Sequence, residues 1–80
     1  MTELEVKEQL KDFFVSELGV DADALEYDTQ LFGEGIGLDS IDSIELVSFI
    51  EETFGVKATA DDKDDFKNID SLAKYIIKNM

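Results

Sequence analysis

Eighty residues with seven basic and twenty acidic side chains, a net charge of −13 and no cysteine, histidine or tryptophan allow one small domain with one core. Without His or Cys there is no Ser–His pair, no thiolate nucleophile, no disulfide and no His-rich metal site, and a general base near neutral pH would have to be a strongly perturbed carboxylate or lysine. The expectation is a non-enzyme with no catalytic residue and no bound metal, whose charge repels nucleic acid and anionic membrane surfaces and suits basic protein partners.

The chain opens Met1-Thr2-Glu3-Leu4-Glu5, without the basic and apolar regions of a signal peptide, and no apolar run nears the roughly 20 residues of a membrane span. A cytoplasmic protein that does not insert stably into membranes is expected. Thr2 followed by Glu5 is a capping-box pattern, and Val6, Leu10, Phe13, Phe14 and Leu18 recur at helical spacing, which predicts a helix over 3–18. Gly19 stops it. From Val20 to Leu38 no period is sustained, so this is a long loop, with a short turn around Ala22 to Leu25 and anchors at Leu31 and Phe32.

Asp39 is a good N-cap and Asp42 adds charge to the first turn, so a second helix runs from about Ser40 to Phe54, where Gly55 ends it. Thr59 and Asp62 suggest a brief third helix across Ala60 to Asp65, held down by Phe66. Asn68 caps a last helix in which Ile69, Leu72, Ala73 and Ile76 share a face. The predicted architecture is all-α: a single domain over 1–80, a four-helix bundle with three longer helices, one short third helix and a long loop between helices one and two.

Three Asp-Ser-aliphatic triplets occur, centred on Ser40, Ser43 and Ser71, and only the first follows a glycine-rich stretch (Gly33, Gly35, Gly37) and opens a long amphipathic run. A serine at a helix start sits where backbone N–H groups and the helix dipole favour a phosphate ester. Ser43, one turn further on, projects towards the core, and Ser71 lies in the first turn of the last helix. At 100° per residue Leu46, Val47, Ile50 and Phe54 form a core stripe, and the opposite arc gathers Ile41, Ile44, Glu45, Ser48, Glu51 and Glu52. Two isoleucines inside an acidic rim read as a docking patch, extended towards Ser40 by Asp39 and Asp42. The acidic clusters at Asp21-Ala22-Asp23 and Asp61-Asp62-Lys63-Asp64-Asp65 lack the glycine and glutamate of a calcium-binding EF-hand loop.

The run from Gly37 to Val47, Gly-Leu-Asp-Ser-Ile-Asp-Ser-Ile-Glu-Leu-Val, continuing to Glu51-Glu52-Thr53-Phe54, resembles the signature of the acyl carrier proteins. The likeness extends over the first helix, the long loop with Phe32, the acidic third segment and the final Lys74-Tyr75-Ile76. It implies a discrete carrier on which a holo-synthase (a phosphopantetheinyl transferase using Mg²⁺) places 4′-phosphopantetheine from coenzyme A on Ser40, next to Asp39. The arm supplies the thiol the chain lacks and carries acyl groups as thioesters for fatty acid, polyketide or related lipid biosynthesis. It further implies a monomer whose positions Asp39, Ile41, Asp42, Ile44, Glu45, Ser48, Glu51 and Glu52 meet basic patches on loading, synthase, reductase and transferase enzymes. Phe32, Leu46, Val47, Ile50, Phe54, Ala58, Leu72 and Ile76 match an acyl-shielding cavity, although aliphatics at helical spacing bury in any bundle and each of these reads first as core.

Leu38 stands where that family often has a small residue, Ser48 where a larger apolar one is frequent, and Ala58 where a bulkier aliphatic is usual. These departures suit a specialised carrier, with Ala58 opening space for a longer or bulkier acyl group. Two other readings stay open on sequence: a carrier of aminoacyl or aryl units, and an unmodified acidic adaptor that docks basic proteins through the second helix.

Overall fold

Thr2 opens the first helix by a reciprocal hydrogen-bonded box: the Glu5 N–H donates to Thr2 Oγ1 at 3.2 Å and the Thr2 N–H donates to Glu5 Oε1 at 3.1 Å. In the computed structural model, which describes residues 2–32, 35–58 and 66–80, this helix, α1, spans Glu3–Ser16. It stops two residues earlier than the sequence predicts, with the Glu17 N–H bonded to the Phe13 carbonyl at 2.9 Å and the Val20 N–H to that of Phe14 at 3.0 Å. A single 3₁₀ turn follows at Ala22–Ala24, capped by Asp21. Helix α2 spans Ser40–Phe54, and Gly55 closes it at φ 71°. Helix α3, the last helix of the sequence reading, spans Ile69–Asn79, with Asn68 Oδ1 accepting the Ser71 N–H at 2.8 Å.

The described residues are thus all-helical, with three α-helices and one 3₁₀ turn. The short helix expected over Ala60 to Asp65 lies outside the described residues. The predicted stripes become one core: Val6, Leu10 and Phe14 of α1, Leu46 and Ile50 of α2, and Ile69, Leu72, Ala73 and Ile76 of α3 have no exposed surface. Each large aliphatic side chain so buried stabilises the fold by about 1.5–3 kcal/mol before entropy is counted. Helix α1 packs most closely on α3; across that seam Lys7 Nζ lies 2.7 Å from Asp70 Oδ1, and within α1 it lies 3.8 Å from Glu3 Oε1.

The connection between α1 and α2 is tied down more firmly than its sequence suggests. Leu25 and Leu31 are fully buried, while Phe32 is only half-buried against the core. The Leu31 N–H donates to the Lys67 carbonyl at 3.0 Å and the Asp70 N–H to the Tyr27 carbonyl at 3.0 Å, fixing the loop to the approach of α3. Gln30 then organises the last stretch. Its carbonyl accepts the Ile36 N–H at 2.8 Å and its side-chain amide donates to the Phe32 carbonyl at 2.7 Å. A Cβ on Gly35 would collide with the Gln30 carbonyl, so only glycine permits this close approach. A parallel bridge joins Phe32 to Leu38, with the Leu38 N–H bonded to the Leu31 carbonyl at 3.1 Å. That closure delivers the chain to α2 at a fixed place.

Candidate functional site

The loop ends with Gly37 at φ 84°, a left-handed conformation that side chains disfavour, and the chain turns there into Leu38 and Asp39. Asp39 is the N-cap of α2, its Oδ1 accepting the N–H groups of Ile41 at 3.0 Å and Asp42 at 3.1 Å. Asp42 answers by accepting the Asp39 N–H at 3.1 Å. Ser40 is the first residue of the helix and is exposed.

This cap changes the reason for a phosphate ester at Ser40. Free N–H groups at a helix start would cradle an anion, but here the Asp39 carboxylate holds those of Ile41 and Asp42, and the Ser43 N–H goes to the Asp39 carbonyl at 3.1 Å. A diester on Ser40 would find the helix dipole but not these donors, beside two carboxylates that repel it. The geometry favours a group projecting into solvent over one bound down on the helix.

The two other serines are less exposed. Ser43 is 8% exposed, and its hydroxyl donates to the Ser40 carbonyl at 2.7 Å. Ser71 is half-buried in the first turn of α3, with its N–H held by Asn68. A bulky ester at Ser43 would displace core packing, and no glycine-rich stretch like Gly33, Gly35 and Gly37 precedes Ser71 in the sequence.

The residues of the predicted arc lie on the outer face of α2. Ile41 and Ile44 are 67% and 65% exposed, with Asp39, Glu45, Ser48, Glu51 and Glu52 exposed around them and Asp42 half-buried. The candidate cavity residues lie on the other side. Leu46, Ile50, Leu72 and Ile76 are fully buried, Phe54 and Ala58 nearly so, and Phe32 and Val47 are half-buried at the margin. Ala58 belongs to this same core cluster.

Sequence reasoning assigned Phe49 to neither face. Its ring stacks on Phe13 of α1 with centroids 4.2 Å apart and 17° between planes, and meets Phe54 edge-on at 6.0 Å. On a helical wheel Phe49 lies about 60° from Leu46, outside the core stripe. That flanking aromatic was the available signal that α2 has a second edge, turned towards α1.

A carrier prosthetic group of the kind expected needs an exposed hydroxyl on a rigid element, room for an ester and no competing bond. Ser40 offers the first two by its exposure and helix-start position, while the hydroxyls of Ser43 and Ser16 are bonded to backbone carbonyls. The model of the family described as "Phosphopantetheine attachment site" matches residues 8–76. Among curated relatives, the acyl carrier protein of Chlorobium phaeobacteroides is 32% identical across 98% of this chain and 99% of its own. That of Onion yellows phytoplasma is 36% identical across 92% of this chain and 96% of its own. The acyl carrier protein of Chloroherpeton thalassium is 32% identical, with 98% and 96% covered.

Proposed function

This chain belongs to the acyl carrier proteins, whose 4′-phosphopantetheine is attached covalently, and we propose that Ser40 is the attachment residue. The observation that supports this most is the placement of an exposed serine at the first position of α2, directly after a loop held by Gln30 and Gly35. The protein is a carrier and not an enzyme. The arm contributes the thiol on which acyl groups ride; everything else falls to the chain. The capped helix start fixes the backbone around Ser40 and leaves its side chain exposed. Asp39 and Asp42 keep the neighbouring surface negative, which orients a transferase with a basic site and turns a diester outward.

The outer face of α2 is the proposed meeting ground for the transferase and the enzymes that load, extend, reduce and transfer acyl groups. Asp39, Asp42, Glu45, Glu51 and Glu52 set encounter rate and orientation. Ile41 and Ile44 supply small apolar contacts, and Ser48 leaves space between them and the acidic rim. The proposed acyl shelter is the region of Phe32, Leu46, Val47, Ile50, Phe54, Ala58, Leu72 and Ile76, entered past half-buried Phe32 and Val47, with the small Ala58 leaving room for a longer or bulkier chain. We place the cargo among the intermediates of fatty acid, polyketide or related lipid biosynthesis. A single monomeric domain over 1–80, a fourth short helix over Ala60 to Asp65 and a cytoplasmic setting belong to the same reading; among the described residues no helix is long and apolar enough to cross a membrane.

Coexpression with a phosphopantetheinyl transferase, followed by intact-mass measurement, tests the assignment. The wild type should gain the arm and Ser40→Ala should not. Uptake of the arm by Ser40→Ala would move the site to another serine, and a wild type that never gains it would remove the attachment reading for this chain.

A further inference from the structure

A groove of about 760 Å³ runs between α1 and α2, on the Phe49 edge of α2 and away from Val47 and the proposed acyl shelter. Its apolar part is formed by Phe13 and Phe49, stacked on each other, and by Ile44, two-thirds exposed at one side. Ser48 lies one turn after Ile44 and, being small, leaves the Phe49 ring open to the groove instead of roofing it. The walls carry Asp12 of α1, Glu17 at its C-cap, and Glu45 and Glu52 of α2, and among the described residues no Lys or Arg lines the groove. Four carboxylates on facing helices around an aromatic floor make a strongly cation-selective apolar slot.

We infer that this groove receives a basic amphipathic helix of a partner protein, which sets an aliphatic side chain against Phe49 and Ile44 while its lysines or arginines meet Asp12 and Glu17 on one wall and Glu45 and Glu52 on the other. The inference builds on the docking face proposed above and widens it: α1 is part of the recognition surface, and partners can grip the carrier from a side that leaves Ser40 and the loop before it uncovered. Charge complementarity selects this occupant. A second copy of this chain would bring a further −13 to the groove, and an uncharged acyl chain would leave four facing carboxylates without counter-charge.

The test uses ¹⁵N-labelled full chain, after transferase treatment, titrated with a synthetic helical peptide of leucine and lysine and with a control in which serine replaces leucine. Shift changes should appear on Asp12, Phe13, Ser16 and Glu17 together with Ser48 and Phe49, and the control should bind roughly tenfold more weakly. Asp12→Lys/Glu17→Lys, at exposed positions of α1 and its C-cap, should weaken the leucine-lysine peptide roughly tenfold or more without melting lower than the wild type. Shifts confined to Ile41, Glu45 and Glu51 with α1 unmoved, or equal affinity for the two peptides, would overturn the proposal. So would groove shifts that grow with protein concentration alone or on loading an octanoyl cargo, which would assign the groove to a second copy or to the arm's own passenger. Intact mass of the same sample separates the two readings: failure to gain an arm on Ser40 removes the attachment assignment and leaves the groove result standing, and a loaded protein with a silent α1 does the reverse.

Discussion

The α1–α3 seam and the outer face of α2 use the same residue types to opposite ends. Across the seam Val6, Leu10, Ile69, Leu72 and Ile76 have no exposed surface, and Lys7 meets Asp70 at 2.7 Å. On α2, Ile41 and Ile44 stand about two-thirds exposed among exposed carboxylates. Burying each of those isoleucines would stabilise the fold by about 1.5–3 kcal/mol. Leaving them in water forgoes that gain and keeps them available for the docking proposed for this face. A small protein can hold both kinds of surface because a single core built on α1, α3 and one stripe of α2 suffices to fold it.

The sharpest way to break the comparison is to truncate one residue from each region. Leu72→Ala should destabilise the protein by about 2–5 kcal/mol, the usual cost of a core cavity, with a matching drop in urea midpoint. Ile44→Ala should change stability by less than about 0.5 kcal/mol, yet weaken docking of enzymes that meet this face. Equal losses of stability would mean that Ile44 is part of the packing after all.

Between the regions lies the loop, and it tests whether the site is held rigidly or merely reached. Gly35→Ala forces a Cβ into the Gln30 carbonyl and should cost about 1–3 kcal/mol, the range for overpacking a tight contact. It should also slow arm attachment at Ser40, since the register from Phe32 to Leu38 must shift. An unfolding curve and attachment rate like the wild type's would show the loop to be more yielding than its hydrogen bonds suggest. Asp39→Ala should remove the cap from α2 and cost about 0.5–2 kcal/mol, read as a lower melting temperature. It also frees the N–H groups of Ile41 and Asp42, so an ester on Ser40 should recover part of that loss in the variant and little in the wild type.

The helices were legible because each carries its own punctuation: Thr2 with Glu5, Asp39 with Asp42, Asn68 and Gly55 mark boundaries by local hydrogen bonds that any chain with those residues would make. The outer arc of α2 was legible from its period. What stayed hidden depended on contacts far apart in sequence. Leu25 reads as one apolar residue in an acidic loop, and its full burial follows from where α1 and α3 lie. The part Gln30 plays is set by a glycine five residues on and by carbonyls with no sequence signal. Phe49 looked peripheral because a wheel shows only its own helix; its place against Phe13 exists only once α1 and α2 are packed. Where the anion argument for Ser40 fell short, the cause was again partnership: the donors at the helix start were counted without the Asp39 side chain that takes them.

The smallest expected effects are electrostatic, and they distinguish the two regions by sign. With twenty acidic and seven basic side chains, repulsion spread over the surface outweighs the local attraction at Lys7, so added salt or Mg²⁺ should raise the melting temperature. At the seam salt acts the other way, because it screens the attraction of Lys7 for Asp70 and Glu3. Lys7→Met removes that opposing contribution and should melt lower than the wild type at low salt but gain more from added salt. The hydrogen bond from Lys7 to Asp70 holds the ammonium pKa above its ordinary value, so its stabilisation is complete below about pH 10.4 and is lost as pH rises through the raised value. In α1 the bonds from the Thr2 backbone and hydroxyl hold Glu5 below its ordinary value, so that contribution is present above about pH 4.3 and is lost as pH falls through the lowered value. Melts of wild type and Lys7→Met should therefore converge as the solution becomes strongly alkaline and stay apart at neutral pH. Parallel salt slopes for the two proteins would place Lys7 among ordinary surface charges and leave the seam held by its apolar side chains alone.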